Sequence, residues 1–199
     1  MSDVLQLVEA RLITALGEPD ARAAVTFVGT DRIEVLRFRT DGNVVRYATL
    51  GMSDHPMTDP TAPVADHLRG PRAELVLTVR GDGGPGSAVL DEVLRPLAVL
   101  GASPQVEGVV VAPGASLELG GPLWPGAPFT SVLVGEPGGL VEDLELIAPM
   151  EPVRFLPLLP MTGNEAAWKR VHGAGALQDR WLRHGTDLRD PARSGVPLT

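Results

Sequence analysis

The first residues of the chain carry its clearest helical pattern. Apolar residues recur every three or four positions over residues 3–16, so one face of a helix would be apolar. Ser2 or Asp3 can cap the start of this helix. Gly17, with Pro19 two residues later, can end it. The pattern therefore predicts an amphipathic helix that packs one face against a core.

Short runs of apolar and β-branched residues, bounded by Gly, Pro, Asn or Asp, are typical of β-strands and fill much of the remaining chain. Over residues 72–80 the alternation is regular, with Leu75 and Leu77 on one face. Residues 41–43 (Asp-Gly-Asn) favour a hairpin turn, because Gly and Asn accept positive φ. The predicted strands cover residues 24–28, 33–38, 44–50, 72–80, 106–111, 116–119, 129–134, 144–147 and 153–159.

Two later segments favour helices. The apolar spacing along residues 89–100 indicates a helix that faces a core, after a glycine-rich break at 81–86. Thr162 and Glu165 have the spacing of a capping box, in which each side chain bonds to the other residue's backbone N–H. A helix is expected to follow, and Gly173 in its middle predicts either a kink or two shorter helices.

The order of these elements bounds the fold. Strands and helices alternate without the regular strand–helix–strand rhythm of a doubly wound protein. This favours an α+β or mixed α/β domain with a mixed central β-sheet flanked by helices. With 199 residues and no long linker, the chain is expected to form one domain over residues 1–199. The polar tail at 186–199 would be loose or draped over the surface.

Composition and charge exclude several classes of function. The chain has no Cys, which rules out disulfides, thiolate metal sites and a cysteine nucleophile, and which fits a cytoplasmic location. Its formal net charge of −8 at pH 7 disfavours binding to nucleic acid and favours a basic partner. The start of the chain lacks the pattern of a secretory signal, and no apolar run approaches the ~20 residues that span a bilayer. We therefore expect a cytoplasmic protein without a membrane segment.

One short segment, Ser53-Asp54-His55, contains the residue types of a hydrolase. Neighbouring side chains of an extended chain point in alternating directions, so these three cannot form a Ser–His–acid relay with one another. An enzyme could still use the Asp and His of this segment with a distant carboxylate, Glu74 or Glu165, in a shared pocket. The capping box already explains Glu165, which weakens this alternative. A metal site here is a further alternative, and a polar loop with a capped turn is the simplest interpretation.

Trp124 lies in a loop of Gly and Pro, residues 120–126. Since Trp buries a large area at small entropic cost, it either closes the core as a plug or serves as an anchor for a partner. Both interpretations remain open. The glycine-rich break at 81–86 lacks the Lys-Ser/Thr ending of a phosphate-binding loop, and we expect no cofactor.

The order of these segments resembles that of the suppressor-of-fused domain. Residues 47–57 (YATLGMSDHPM) resemble the family's strand that enters a Gly-hydrophobic-Ser-Asp loop, and residues 73–79 (AELVLTV) resemble its next strand. The similar segments that follow are the helix near 90–100, the strand–loop–strand of 114–137, the strand and helix start of 153–165 and the Thr-Asp-Leu-Arg of 186–189. The resemblance covers about residues 25–193, the core of the expected domain. The departures are a longer Pro-rich insertion after Met57 and a shorter tail.

This resemblance implies a non-enzymatic, protein-binding domain. Animal members of the family sequester a transcription factor by clamping an extended peptide, and single-domain bacterial members are similar to immunity proteins that neutralise toxins. The large C-terminal region of the animal members has no counterpart in this sequence, so their partnership is not carried over. The implied partner is a basic toxin or another protein, held for example by strand addition at an open sheet edge.

The resemblance also indicates where a partner would bind. The first family loop supplies Asp54, His55 and Met57 as contact residues, and Trp124 and Arg189 are further candidates. For Asp54, the capping of a turn is an equal alternative. The sequence leaves open the oligomeric state, and also whether the Pro-rich residues 58–70 become ordered only on binding.

Overall fold

A computed structural model describes residues 2–40, 43–58, 61, 66–81 and 91–199 of the chain. The helices are α1 (Asp3–Leu16), α2 (Leu94–Glu107), α3 (Gly163–His172) and α4 (Ala174–Arg183), with single 3₁₀ turns at Met52–Asp54 and Asp91–Val93. The strands are β1 (Ala21–Thr26), β2 (Arg32–Thr40), β3 (Val44–Leu50), β4 (Arg72–Arg80), β5 (Ser116–Glu118), β6 (Phe129–Val134) and β7 (Val153–Thr162).

These strands form one sheet in the order β1-β2-β3-β4-β7-β6-β5. Strands β4 and β7 run parallel, whereas the other neighbouring pairs are antiparallel. The sheet is therefore mixed, as the sequence predicts, and β1 and β5 form its two edges.

Helices cover both faces of the sheet. Helix α2 packs on one face over the largest hydrophobic cluster, which includes Leu75, Leu97 and Leu156. On the other face, α1 covers the half around β2 and β3, and α3 with α4 covers the half around β6 and the end of β7. Consecutive residues of β7 point to opposite faces of the sheet, so Phe155 and Leu156 belong to different clusters.

Local signals explain the helix boundaries. The Ser2 hydroxyl accepts a hydrogen bond from the Leu5 N–H and caps α1, and the α1 face buried on the sheet consists of Val8, Leu12 and Leu16. The capping box of α3 is present as predicted: the Thr162 side chain accepts from the Glu165 N–H, and the Glu165 side chain accepts from the Thr162 N–H. Gly173 divides the last helical segment into two helices, one of the two predicted outcomes.

Two predicted strands are wrong. Residues 106–111 do not form a strand, because α2 continues through Pro104 to Glu107 and Gly108 then ends it in the left-handed conformation. Residues 144–147 contribute only one bridge, between Leu144 and Val153. Each run packs some apolar residues on the core, among them Val111 and Leu144, and shares this property with strands, whereas Val106 and Ile147 are 60% and 83% exposed.

Other predictions depend on residues outside the described part of the chain. The turn predicted at 41–43 falls between the antiparallel strands β2 and β3, but only Asn43, at φ 65°, is among the described residues. Most of the break at 81–86, the start of the helix predicted from 89, and residues 59–60 and 62–65 of the Pro-rich insertion also lie outside it. Among the described residues, no helix is both long and apolar enough to cross a membrane.

Candidate functional site

The loop that follows β3 contains the first predicted contact residues. Gly51 ends the strand at φ 134°, and residues Met52–Asp54 form a single 3₁₀ turn. A Cβ atom at Gly51 would lie 2.7 Å from the carbonyl oxygen of Arg32, so glycine is required by backbone contact as well as by φ. We call residues 51–57 the contact loop.

Glu74 holds the contact loop from below. Its carboxyl group is completely buried, and one oxygen accepts bonds from the Gly51 N–H at 3.0 Å, the Ser53 N–H at 3.0 Å and the Ser53 hydroxyl at 2.6 Å. The second oxygen lies 2.6 Å from the Thr49 hydroxyl. Burial raises the pKa of Glu74 above its ordinary value, although these hydrogen bonds act in the opposite direction.

Arg72, two residues earlier on β4, binds the same turn. One of its Nη atoms donates to the carbonyl oxygens of Ser53 and Asp54, both at 2.8 Å. The guanidinium is almost fully buried, and burial lowers its pKa. Two polar side chains of a central strand therefore fix the backbone that carries Asp54 and His55.

The structure places Asp54 and His55 next to each other at the surface. Asp54 is partly buried and accepts a bond from the Ser2 hydroxyl, which also caps α1. The His55 side chain is 60% exposed, and its Nε2 lies 3.2 Å from a carboxylate oxygen of Asp31. Asp31 is in turn bonded to Gln105 near the end of α2. The contact loop is thus connected to both neighbouring layers.

A cleft of about 320 Å³ opens beside this pair, between the start of α1 and the start of β2. Three carboxylates line it, from Asp31, Glu34 and Asp54, together with the single cation of Arg32. The excess of negative charge favours a basic group in a partner.

The other three predicted contact residues are not exposed beside Asp54 and His55. Met57 and Trp124 are only 4% and 6% exposed and belong to the main core cluster. The Trp124 ring packs edge-on against Phe129, with ring centres 5.8 Å apart. Arg189 is exposed but lies beside the other end of β4, where its carbonyl accepts a hydrogen bond from the Arg80 N–H. Along β4, that end is about 26 Å from the contact loop.

The structure does not bring together the residues that the hydrolase alternative requires. Glu74 is occupied beneath the contact loop, and Glu165 accepts bonds from Thr162, Trp181 and Arg193 in a different part of the sheet. His55 instead pairs with Asp31. Within the described ranges, no group of three His, Asp or Glu side chains is placed to hold a metal ion.

A second surface was not predicted from the sequence. A groove of about 330 Å³ separates the C-terminal half of α2 from β5, and we call it the α2–β5 groove. Val99 and Val110 are 42% and 37% exposed in its walls. Its lining consists of Val99, Leu100, Ser103, Glu107, Val109, Val110, Ala115, Ser116, Leu117 and Glu118.

The groove runs beside an open sheet edge. The Leu119 N–H donates to the Thr130 carbonyl on the β6 side. In an antiparallel pair, hydrogen-bonded positions alternate with non-bonded ones, so Leu117 is the next bonded position. Ser116 and Glu118 therefore direct their backbone N–H and C=O groups away from β6, where the described part of the sheet has no further strand.

The two surfaces are connected through the chain that follows α2. The Val111 N–H donates to the sulfur of Met57 at 3.3 Å, and Val109 and Val110 line the groove. A sequence signal for the groove was available in the three consecutive valines 109–111, of which Val110 is 37% exposed and Val111 is buried in the core. Their exposure, however, depends on the tertiary structure.

The sequence matches the profile described as suppressor of fused protein (SUFU) over residues 29–194. The chain belongs to the suppressor-of-fused family. No curated protein sequence matches it. Among solved structures, the chain is similar to a suppressor-of-fused homologue from Neisseria gonorrhoeae, at 19% identity and a TM-score of 0.68, over 97% of this chain and 96% of that one.

Two further suppressor-of-fused structures share the fold. The Sufu–Fu complex matches at 13% identity and a TM-score of 0.65, over 96% of this chain and 91% of that one. Drosophila Suppressor of Fused matches at 12% identity and a TM-score of 0.56, over 97% of this chain but only 50% of the Drosophila chain. This domain therefore corresponds to half of the Drosophila chain.

Proposed function

We propose that this suppressor-of-fused domain is a non-catalytic protein-binding domain that holds an extended segment of its partner as an added strand on β5. The observation that carries the proposal is the open edge of Ser116 and Glu118 beside the apolar α2–β5 groove. In strand addition, main-chain hydrogen bonds supply affinity and alternate side chains supply specificity. In the related Sufu–Fu structure, a Sufu chain is in complex with Fu.

We further propose that the partner is basic and that the chain acts as an immunity-type protein that neutralises a toxin. The formal net charge of −8 supports this partner, because complementary charge accelerates encounter. The cleft beside Asp54 is also lined mainly by carboxylates, so it too favours a basic partner. Asp54 and His55 would then contact a part of the partner that lies outside the added strand.

The added strand can be tested with two variants of one residue. Ser116→Pro removes an N–H that faces the open edge and leaves the bonds between β5 and β6 in place. Ser116→Thr keeps that N–H and the side-chain hydroxyl and is the matched control. Each tagged variant is used to capture proteins from the native lysate, and the captured proteins are identified by mass spectrometry. We expect one stoichiometric partner with wild type and Ser116→Thr, and its loss with Ser116→Pro. Equal capture by all three would contradict strand addition at β5.

The role as an immunity protein needs a separate test. The captured partner is expressed in a bacterial host with and without the chain, and growth is measured. We expect the partner alone to stop growth, the wild-type chain to restore it, and the Asp54→Ala/His55→Ala double variant to restore it incompletely. A partner that leaves growth unchanged would contradict neutralisation and leave protein binding itself intact.

A further inference from the structure

Ser116 and Glu118 both line the groove, but their side chains lie on the face of β5 opposite to Leu117, where they form a polar cluster with Ser131. The register places Glu118 directly opposite Ser131 of β6, and Ser116 lies two residues from Glu118 on the same face. This face is the one that carries α3, whose Arg170 donates to the Glu118 carboxylate at 2.8 Å. The cluster therefore lies at the edge where a partner strand would add.

Two hydroxyl groups of this cluster are buried without a partner. Among the described residues, neither the Ser116 Oγ nor the Ser131 Oγ has a hydrogen-bond partner, and Ser131 is completely buried. A buried hydroxyl without a partner is unfavourable, and such groups are uncommon in folded proteins. A polar side chain brought in by an added strand next to β5 would reach the Ser116 Oγ, whereas Ser131 lies one strand further into the sheet, on β6.

The ion pair between Arg170 and Glu118 covers the cluster, and it is weak enough for another cation to replace Arg170. The side chains of Arg170 and Glu118 are 64% and 57% exposed, and an exposed pair contributes little to stability. A cation that arrives on an added strand would meet Glu118 in a drier environment, where the same charge pair is stronger. Arg170 thus covers the edge in the free protein and can be displaced on binding.

The alternation of an added strand then defines the partner sequence. The partner residue beside Leu117 points into the α2–β5 groove, and the residues on either side of it point toward Ser116 and Glu118. We infer that the partner segment carries an apolar residue that enters the groove and, next to it, a Lys or Arg that binds Glu118. This inference rests on the proposed strand addition, and it makes Glu118 the residue that determines specificity.

The experiment selects displayed random peptides on the wild-type chain and synthesises the strongest binder. Its affinity is then measured for wild type, Glu118→Lys and Glu92→Lys. Glu92→Lys makes the same change of charge at an exposed position in the 3₁₀ turn before α2, outside the lining of the groove. We expect a basic residue next to an apolar one in the selected peptides. We also expect Glu118→Lys to weaken binding about tenfold and Glu92→Lys to change it little. A peptide whose basic residue is replaced by Glu should recover affinity for Glu118→Lys, which also shows that this variant is folded.

The outcomes separate the inference from the proposed function. Suppose that peptides bind and that Ser116→Pro weakens their binding. If they then show no preference for a basic residue, or bind Glu118→Lys as well as wild type, strand addition stands and the inferred specificity is overturned. The same result would assign Glu118 to protection of a sheet edge, for which either sign of charge suffices. If the selected peptides bind Ser116→Pro as well as wild type, the proposed function itself fails.

Discussion

Arg193 places both terminal nitrogens on the carboxylate of Glu165, at 2.8 and 3.0 Å, although the two residues are 28 positions apart. Both side chains are almost completely buried. The same carboxylate accepts from the Trp181 ring N–H and the Val196 N–H. One side chain thus joins the start of α3 to α4 and to the C-terminal tail, which is draped over the surface, one of the two outcomes predicted for it.

Removing Arg193 should destabilise the protein strongly. Arg193→Ala leaves Glu165 buried without its cation, and we expect the free energy of unfolding to fall by about 3 kcal/mol or more. Urea denaturation followed by circular dichroism measures this change. Arg183→Ala, at an exposed position in the last turn of α4, is the control and should change little. Equal losses in the two variants would contradict a special role for the pair.

The Glu165 pair should also make stability depend on pH. Burial raises the pKa of Glu165, but the bonds from Arg193, Thr162, Trp181 and Val196 together hold it below its ordinary value of 4.5. Its contribution is therefore present above pH 4.5 and is lost as the pH falls through the folded-state pKa. The difference in the free energy of unfolding between wild type and Glu165→Gln should be large at neutral pH and shrink in acid. A difference that does not change with pH would rule out this account.

The sequence predicted those parts of the fold that depend on local signals. The capping box of Thr162 and Glu165 and the helix over 3–16 are defined by neighbours within one or two turns. Strand 72–80 has the same boundaries as β4, because its alternation is regular and both ends are marked by charge. Strand 106–111 failed because an apolar run alone does not show whether a partner strand is available.

The candidate sites depend on contacts that the sequence does not show. Glu74 reaches residues 21 to 25 positions away, so its role follows from the pairing of β3 with β4. A carboxylate between the apolar residues Ala73 and Leu75 of the strand was a usable signal, because a buried charge requires polar partners. The open edge of β5 depends on the order of all seven strands.

Two substitutions of Glu74 should distinguish the contribution of its hydrogen bonds to stability from that of its charge. Glu74→Ala removes four hydrogen bonds beneath the contact loop, and we expect it to lower the free energy of unfolding by about 3 kcal/mol. Because burial raises the pKa of Glu74, its contribution is complete below the unfolded-state pKa and is lost as the pH rises through the folded-state value. Glu74→Gln should therefore be close to wild type in acid and relatively more stable at higher pH. Denaturation across pH measures both effects, and a Gln variant as unstable as the Ala variant would contradict them.

Gly51 should tolerate no side chain. With φ at 134° and the Arg32 carbonyl 2.7 Å from the position of a Cβ atom, Gly51→Ala must shift the backbone of the contact loop. We expect a loss of about 2 kcal/mol or more in the free energy of unfolding. Gly29→Ala is the matched control, because Gly29 also has a positive φ, of 82°, but has open space around it. It should lose only about 1 kcal/mol. Similar losses would show that φ alone matters at Gly51.

Trp124 can be assigned to one of its two predicted roles by comparing stability with binding. The side chain is 6% exposed and packs on Phe129, which favours a plug over an anchor. Trp124→Ala should then lower the free energy of unfolding by about 3 kcal/mol or more, whereas Trp124→Phe, which keeps most of the apolar volume, should lower it less. At a temperature where both variants are folded, capture of the partner should be unchanged. A variant of wild-type stability that no longer captures the partner would instead identify Trp124 as an anchor, and binding would then require this loop to open.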